Sequence, residues 1–302
     1  MEGSKKAVIF ALGGNMIIAA IKLIASFFTR SSAMLAEAIH SVADCFNQIF
    51  LLIGAKRAAK PANEQHPFGY GREEYFWGFM VAILLFFVGS LFSIYEGISK
   101  LLHPEEIHYI WWSISILGIA VIIETKSFLV AFAEFKKKDK GNFVNAIKNS
   151  VDTNLIVILL EDSAALCGLL IAIICTILAV TVDPVFDGIG GTMIGLLLAV
   201  VSYMLTNELR KLIIGESMPR EDRHKIKHII DEFHIVKHVN KLQTMAIGKK
   251  YLLLLSIDFE DSANAYDLEN AIEEMKVRIL QNHPEVETIY IEAKDNNRNT
   301  RV

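Results

Sequence analysis

The 302-residue chain is 53% hydrophobic, contains six prolines and has a mean hydropathy of +0.38. Soluble domains hold about 45–50% apolar residues. The excess here is gathered before residue 210 in blocks long enough to cross a bilayer, about 20 residues each, which excludes a single soluble core. A net charge of −4 gives nucleic-acid binding no electrostatic support, and Cys45, Cys167 and Cys175 lie inside apolar blocks without a CxxC or disulfide framework.

Six membrane spans are predicted in chain order. Ala7–Phe28 carries one charge, Lys22, and has no AxA-like cleavage site, so it reads as a permanent span and not a signal peptide. Ala33–Ala55 carries Glu37, His40 and Asp44, while Tyr75–Tyr95 is uncharged. Ile110–Ala133 contains Glu124 and Lys126, Asn154–Val182 contains Glu161 and Asp162, and Gly188–Asn207 is uncharged.

An even number of spans puts both termini on one side. With that side cytoplasmic, the inner short segments hold thirteen basic residues: Lys5, Lys6, Lys56, Arg57, Lys60, Arg72, Lys136, Lys137, Lys138, Lys140, Lys148, Arg210 and Lys211. The outer loops hold two, Arg30 and Lys100. The positive-inside rule therefore orients both termini to the cytoplasm.

The tail alternates helix and strand patterns. Arg220–Phe233 has Ile226, Ile229, Ile230 and Phe233 at helical spacing, and Val239–Ile247 and Tyr251–Phe259 flank a Gly248-Lys249-Lys250 turn as a hairpin. Tyr266–Gln281 is amphipathic, and Val286–Ala293 reads as a third strand after Pro284. The order αββαβ predicts a small ferredoxin-like α+β domain. The layout is a six-helix membrane domain over residues 1–210, a linker over 211–218 and a cytosolic domain over 219–302.

Ionisable side chains inside a bilayer cost a few kcal/mol each, so they mark cavities or partners. His40 and Asp44 lie one turn apart on one helix face, and imidazole with carboxylate suits Zn²⁺, Mn²⁺, Fe²⁺ or Co²⁺. A hydrogen-bonded His–Asp pair holding helices together is the other reading. Depth favours the metal. Asp44 lies 11 residues from the inner end of its span, about 16 Å, and Asp162 lies 8 residues from the inner start of its own, about 12 Å. Carboxylates packed together in lipid repel unless a cation neutralises them. His40, Asp44 and Asp162 are therefore the candidate ligands.

Several motifs together resemble the cation diffusion facilitator family. They are Met34-Leu35-Ala36-Glu37-Ala38-Ile39-His40-Ser41-Val42-Ala43-Asp44 with its HxxxD, the run His66-Pro67-Phe68-Gly69-Tyr70-Gly71-Arg72 before span three, and the αββαβ tail. The resemblance covers nearly the whole chain and implies a homodimeric exchanger with no enzymatic activity and no resident cofactor. Such a protein exports Zn²⁺, or in some members Mn²⁺, Fe²⁺ or Co²⁺, from the cytoplasm against protons. Its metal site lies between spans two and five, in a bacterial inner membrane or an organelle membrane.

The family's span five usually carries a second HxxxD or DxxxD. Here Asp162 fits the last position, but Ile158 stands four residues earlier and cannot ligate. Glu161 lies about 60° around the helix from residue 158, with Asp162 about 40° to the other side, and its longer arm makes it the provisional fourth ligand. The run Leu159-Leu160-Glu161-Asp162-Ser163-Ala164-Ala165 resembles a branch that includes a mitochondrial zinc transporter. Asn15 and Asn154 are polar enough to assist the shell, with helix-packing amides as the expected reading.

Lys22, Glu37, Glu124 and Lys126 are expected to pair between helices, with a proton path or gating pair as the alternative. His66, His103 and His108 read as loop residues, the alternatives being an accessory metal site at His66, which the resemblance implies in some relatives, and capture of released metal at His103 and His108. His224, His228, His234, His238 and His283 suggest either a tail metal site, which the resemblance implies between protomers, or surface histidines. The strand positions that usually bear histidine hold Ser256, Asp258 and Glu292. Two other classes stay open: a membrane metallohydrolase, which would need an HExxH-like motif that the sequence lacks, and a non-transporting metal-sensing scaffold.

Overall fold

The computed structural model describes the backbone of residues 2–138 and 153–295, with side-chain surroundings for 12–13, 15–133 and 157–295. Two compact units are present. One contains the long helices up to Arg210, and the other joins residues 58–72 to the chain from Lys211 onward.

The first unit is built from α1 (Glu2–Thr29), α2 (Ser32–Ala58), α3 (Glu73–Leu102), α4 (Ile110–Lys138), α5 (Thr153–Thr181) and α6 (Val185–Ile214). Among the described residues α2 to α6 are long and apolar enough to cross a membrane, while the corresponding stretch of α1, Asn15–Thr29, is shorter. The expected first span, Ala7–Phe28, includes side chains outside the described residues. Four of the other five expected spans fall within α2, α3, α4 and α6, and Asn154–Val182 ends one residue past α5; the helices run beyond the apolar blocks by up to seven residues. Hydropathy marks the stretch that avoids water, whereas backbone hydrogen bonding continues until a turn residue stops it.

Helix α3 widens into a π-helical stretch at Leu85–Leu91, part-way along its length. Beyond it, α3 meets α6 backbone to backbone. A Cβ on Gly188 would stand 2.8 Å from the Leu101 nitrogen and 2.9 Å from the Gly97 oxygen, so no larger residue fits. Lipid supplies no hydrophobic drive between helices, and small residues gain contact by close approach. Ser202 Oγ adds a bond to the Ala82 carbonyl at 2.6 Å.

The α1–α2 corner turns at Arg30, whose φ is 55°. The N-terminus of α2 is then capped by a residue far along the chain. Asp187 accepts from Ser31 Oγ and from the Ser32 amide, each at 2.5 Å, and from the Ala33 amide at 3.2 Å. A carboxylate there satisfies otherwise unpaired amides and opposes the helix dipole. The uncharged sixth span was predicted to start at Gly188, one residue too late to include it.

The second unit contains α7 (Arg220–Asp231), β1 (Val236–Ile247), β2 (Lys250–Phe259), α8 (Ala265–Asn282) and β3 (Val286–Ala293). The order is the expected αββαβ. Strand β2 is central, antiparallel to β1 (Leu242 opposite Leu255) and parallel to β3 (Leu253 opposite Ile289). Leu253, Ile257, Ile226, Ile230, Met275 and Ile279 are fully buried and form its core. A complete ferredoxin-like fold carries a further strand ahead of its first helix, and the described residues contain three strands. The hairpin tip, Gly248 at φ 61°, packs on Gly71, where an added Cβ would lie 2.9 Å from the Gly71 Cα. Residues 58–72 thus pack with this unit.

Candidate metal site

In α2 the i, i+4 spacing brings His40 and Asp44 together, with Nδ1 3.7 Å from Oδ1. His40 is buried, and neither ring nitrogen has a hydrogen-bond partner among the described residues; the same holds for Asp44 Oδ1. Asp44 opens onto a cavity of about 360 Å³. Helix α1 contributes Asn15 and Ile18 to its wall, α2 adds Ser41 and Gln48, α4 adds Ile123, Glu124 and Ser127, and α5 adds Ile158, Glu161 and Asp162.

Two hydrogen bonds lock the acidic side of this wall. Ser127 Oγ donates to Asp162 Oδ2 at 3.0 Å, joining α4 to α5. Asn47 Nδ2 donates to Glu161 Oε1, joining α2 to α5. Asn47 is fully buried and lies three residues after Asp44, which sets it on the neighbouring face of α2 toward α5.

Of the expected ligands, Asp44, Glu161 and Asp162 share the cavity. His40 stands behind Asp44, outside the lining, and in this conformation no three His, Cys, Asp or Glu side chains among the described residues are close enough to hold one ion. Ile158 lies in the wall as an apolar surface. Asn15 also lines the cavity, beyond the packing role expected of it, and the Asn154 side chain lies outside the described residues.

The pairing expected of Lys22 and Glu37 is present. Lys22 Nζ is 3.3 Å from Glu37 Oε2 and donates to Ser41 Oγ at 2.8 Å, with both charged groups buried. Glu124 instead faces the cavity. Sequence reasoning missed Asn47 and Ser127, because an uncharged amide or hydroxyl inside an apolar span leaves no mark in a search for charge.

The other histidines have separate surroundings. His66 stacks on Tyr70 with ring centres 4.3 Å apart, and its amide donates to Asn63 Oδ1 at 2.8 Å. His103, His108, His224, His228, His234 and His238 are exposed. His283 is buried, with Nδ1 2.9 Å from Glu285 Oε1.

Apolar membrane-length helices around an acidic cavity define a multi-pass membrane protein built to handle a cation. Residues 8–214 match the cation efflux transmembrane domain. The chain is 30% identical over 265 residues to the Xenopus laevis mitochondrial proton-coupled zinc antiporter SLC30A9, covering 86% of this chain and 47% of that protein. Identity to metal tolerance protein C4 of Arabidopsis thaliana is 28% over 263 residues, 85% and 58% of the two chains. An uncharacterized transporter of Methanocaldococcus jannaschii is 23% identical over 296 residues, 96% and 98% of the two. The chain thus spans about half the length of the zinc antiporter. It belongs to the cation efflux family, whose members are transporters and not enzymes.

Proposed function

We propose that the chain exports a divalent metal cation, Zn²⁺ foremost, in exchange for protons, with Asp44, Asp162, Glu161 and His40 as its ligands. The observation that carries this reading is the cavity that Asp44, Glu161 and Asp162 share inside a cation efflux domain. A small rotation of α2 would bring His40, with both ring nitrogens unengaged, toward the same ion. Metal arrival requires ionised carboxylates and neutral imidazole, so it displaces protons; an acidic far side reverses the exchange. The helices rock around a site fixed part-way through the bilayer.

The same reading has six spans with both termini cytoplasmic, as the thirteen-to-two basic bias supports, and a homodimer held through residues 219–302. The similar Xenopus laevis protein is named for proton-coupled zinc antiport, which supports the reading.

A second cargo reading follows from the donor set. The cavity wall offers oxygen donors with His40 withdrawn, and oxygen sites suit Mn²⁺ better than nitrogen-rich sites do. Flux into proteoliposomes, measured in parallel for Zn²⁺, Mn²⁺, Fe²⁺ and Co²⁺ with a trapped pH dye, tests both readings. Metal uptake with counter-movement of protons supports exchange, and the fastest metal names the cargo. Absence of flux for every metal would leave a metal-sensing scaffold. Asp44→Ala should abolish flux at unchanged expression.

A further inference from the structure

The structure assigns Glu124 of α4 as a further ligand of the transported cation, so that the ion is held from three helices: α2, α4 and α5. This inference rests on the transport-site reading above and deepens it.

Three observations converge. Glu124 lines the cavity together with Asp44, Glu161 and Asp162. Its orientation is fixed by Ser127, one turn along the same face of α4, whose hydroxyl donates to Asp162 Oδ2 at 3.0 Å; the face that bears Glu124 is the face that meets the metal-site helix. Its depth also matches. Glu124 lies nine residues from Ala133, the inner end of the apolar part of α4, which is about 14 Å and falls between the depths of Asp44 and Asp162.

Glu124 has no competing commitment. Among the described residues it takes no hydrogen bond or ion pair. Lys22, the buried cation of α1, is engaged by Glu37 and Ser41. Lys126 lies two residues further along α4 on an exposed face, and residues two apart on a helix do not meet. A carboxylate placed at this depth without a protein partner marks a functional position. Behind Asp44, His40 is buried with both ring nitrogens unpartnered among the described residues and Nδ1 3.7 Å from Asp44 Oδ1, so the acidic wall is backed by a further group without a hydrogen bond. Glu124 also supplies the oxygen donor that Ile158 withholds from α5.

The test uses the whole 302-residue chain in detergent, with Zn²⁺, Mn²⁺ and Cd²⁺ as probes in titration calorimetry and thermal unfolding to verify folding. Glu124→Gln keeps the shape and removes the charge, and it should raise both dissociation constants about tenfold or more. Glu124→Asp should recover part of the loss. Glu124→Cys replaces an oxygen donor by a thiolate and should turn preference toward Cd²⁺. A wall residue outside the coordination shell could not produce that change. Wild-type affinity in Glu124→Gln together with unchanged metal preference in Glu124→Cys overturns the inference. If Asp44→Ala also binds metal normally, the transport-site reading fails as a whole; if it loses binding while Glu124 variants keep it, the Glu124 assignment alone fails.

Discussion

Asn47 Nδ2 donates to Oε1 of Glu161, and this one contact ties α2 to α5 beside the cavity. It occupies one oxygen of Glu161 and holds the carboxylate at the cavity wall. Helix α2 thereby contributes twice to the acidic side, directly through Asp44 and indirectly through Asn47 three residues later.

Removing that donor should be costly. Asn47→Ala strands a buried carboxylate oxygen, and an unsatisfied buried group costs about 1–3 kcal/mol, more when charged. The variant should unfold at a lower temperature in detergent and bind Zn²⁺ more weakly. Asn47→Asp sets two carboxylates face to face and should be worse at neutral pH, with added Zn²⁺ restoring part of the loss. An unfolding temperature equal to wild type in both variants would refute the positioning role.

Asp187 makes a separate prediction at the other end of α2. Three groups donate to its carboxylate from Ser31, Ser32 and Ala33. Asp187→Ala removes a cap worth about 0.5–2 kcal/mol and leaves buried amides unpaired at about 1–3 kcal/mol more. Asp187→Asn keeps one acceptor oxygen and should lie between the two. Thermal unfolding of the three proteins in one detergent checks the ranking, and equal stability of Asp187→Ala and wild type would remove the capping account.

The helices and the acidic positions were legible in the sequence because both leave strong signals: long apolar runs, and charges inside them. Asp44 and Asp162 could be matched by depth alone, and the structure sets both on one cavity. The same depth rule applies to Glu124, but its charge is equally compatible with pairing between helices, and sequence spacing cannot say which way a helix is rotated about its axis. Asn47, Ser127 and Asp187 were invisible for a related reason. Each acts through a contact with a helix more than 30 residues away, and nothing local in the chain announces that partner. The packing of Gly71 on Gly248 is likewise a long-range contact that no local pattern encodes.

The Lys22–Glu37 pair allows a double-mutant cycle. Both groups are buried, and removing one partner of such a pair leaves an uncompensated charge that costs about 3–5 kcal/mol. Lys22→Met should therefore destabilise strongly, as should Glu37→Gln, while the double variant should recover most of the loss. Additive losses in the double variant would show that the two residues act independently.

The last prediction concerns coupling. A divalent ion bound by carboxylates and imidazole competes with protons for the same lone pairs, so occupancy by metal and by protons exclude each other. In the proposed exchange, metal displaces the protons while the site is open to the cytoplasm near neutrality, and protonation of His40 and of the carboxylates is expected to release the ion once the site opens to a more acidic compartment. Imidazole suits this step because its ordinary pKa of about 6.5 lies within reach of physiological pH differences. In proteoliposomes with the membrane potential clamped, making the outer side acidic should accelerate metal extrusion, and dissipating the gradient should slow it. His40→Asp substitutes a group that protonates at lower pH, so its flux should need a more acidic outer side to reach the same rate. Flux that ignores the gradient, in wild type and in His40→Asp alike, would mean a facilitated pathway in place of an exchanger.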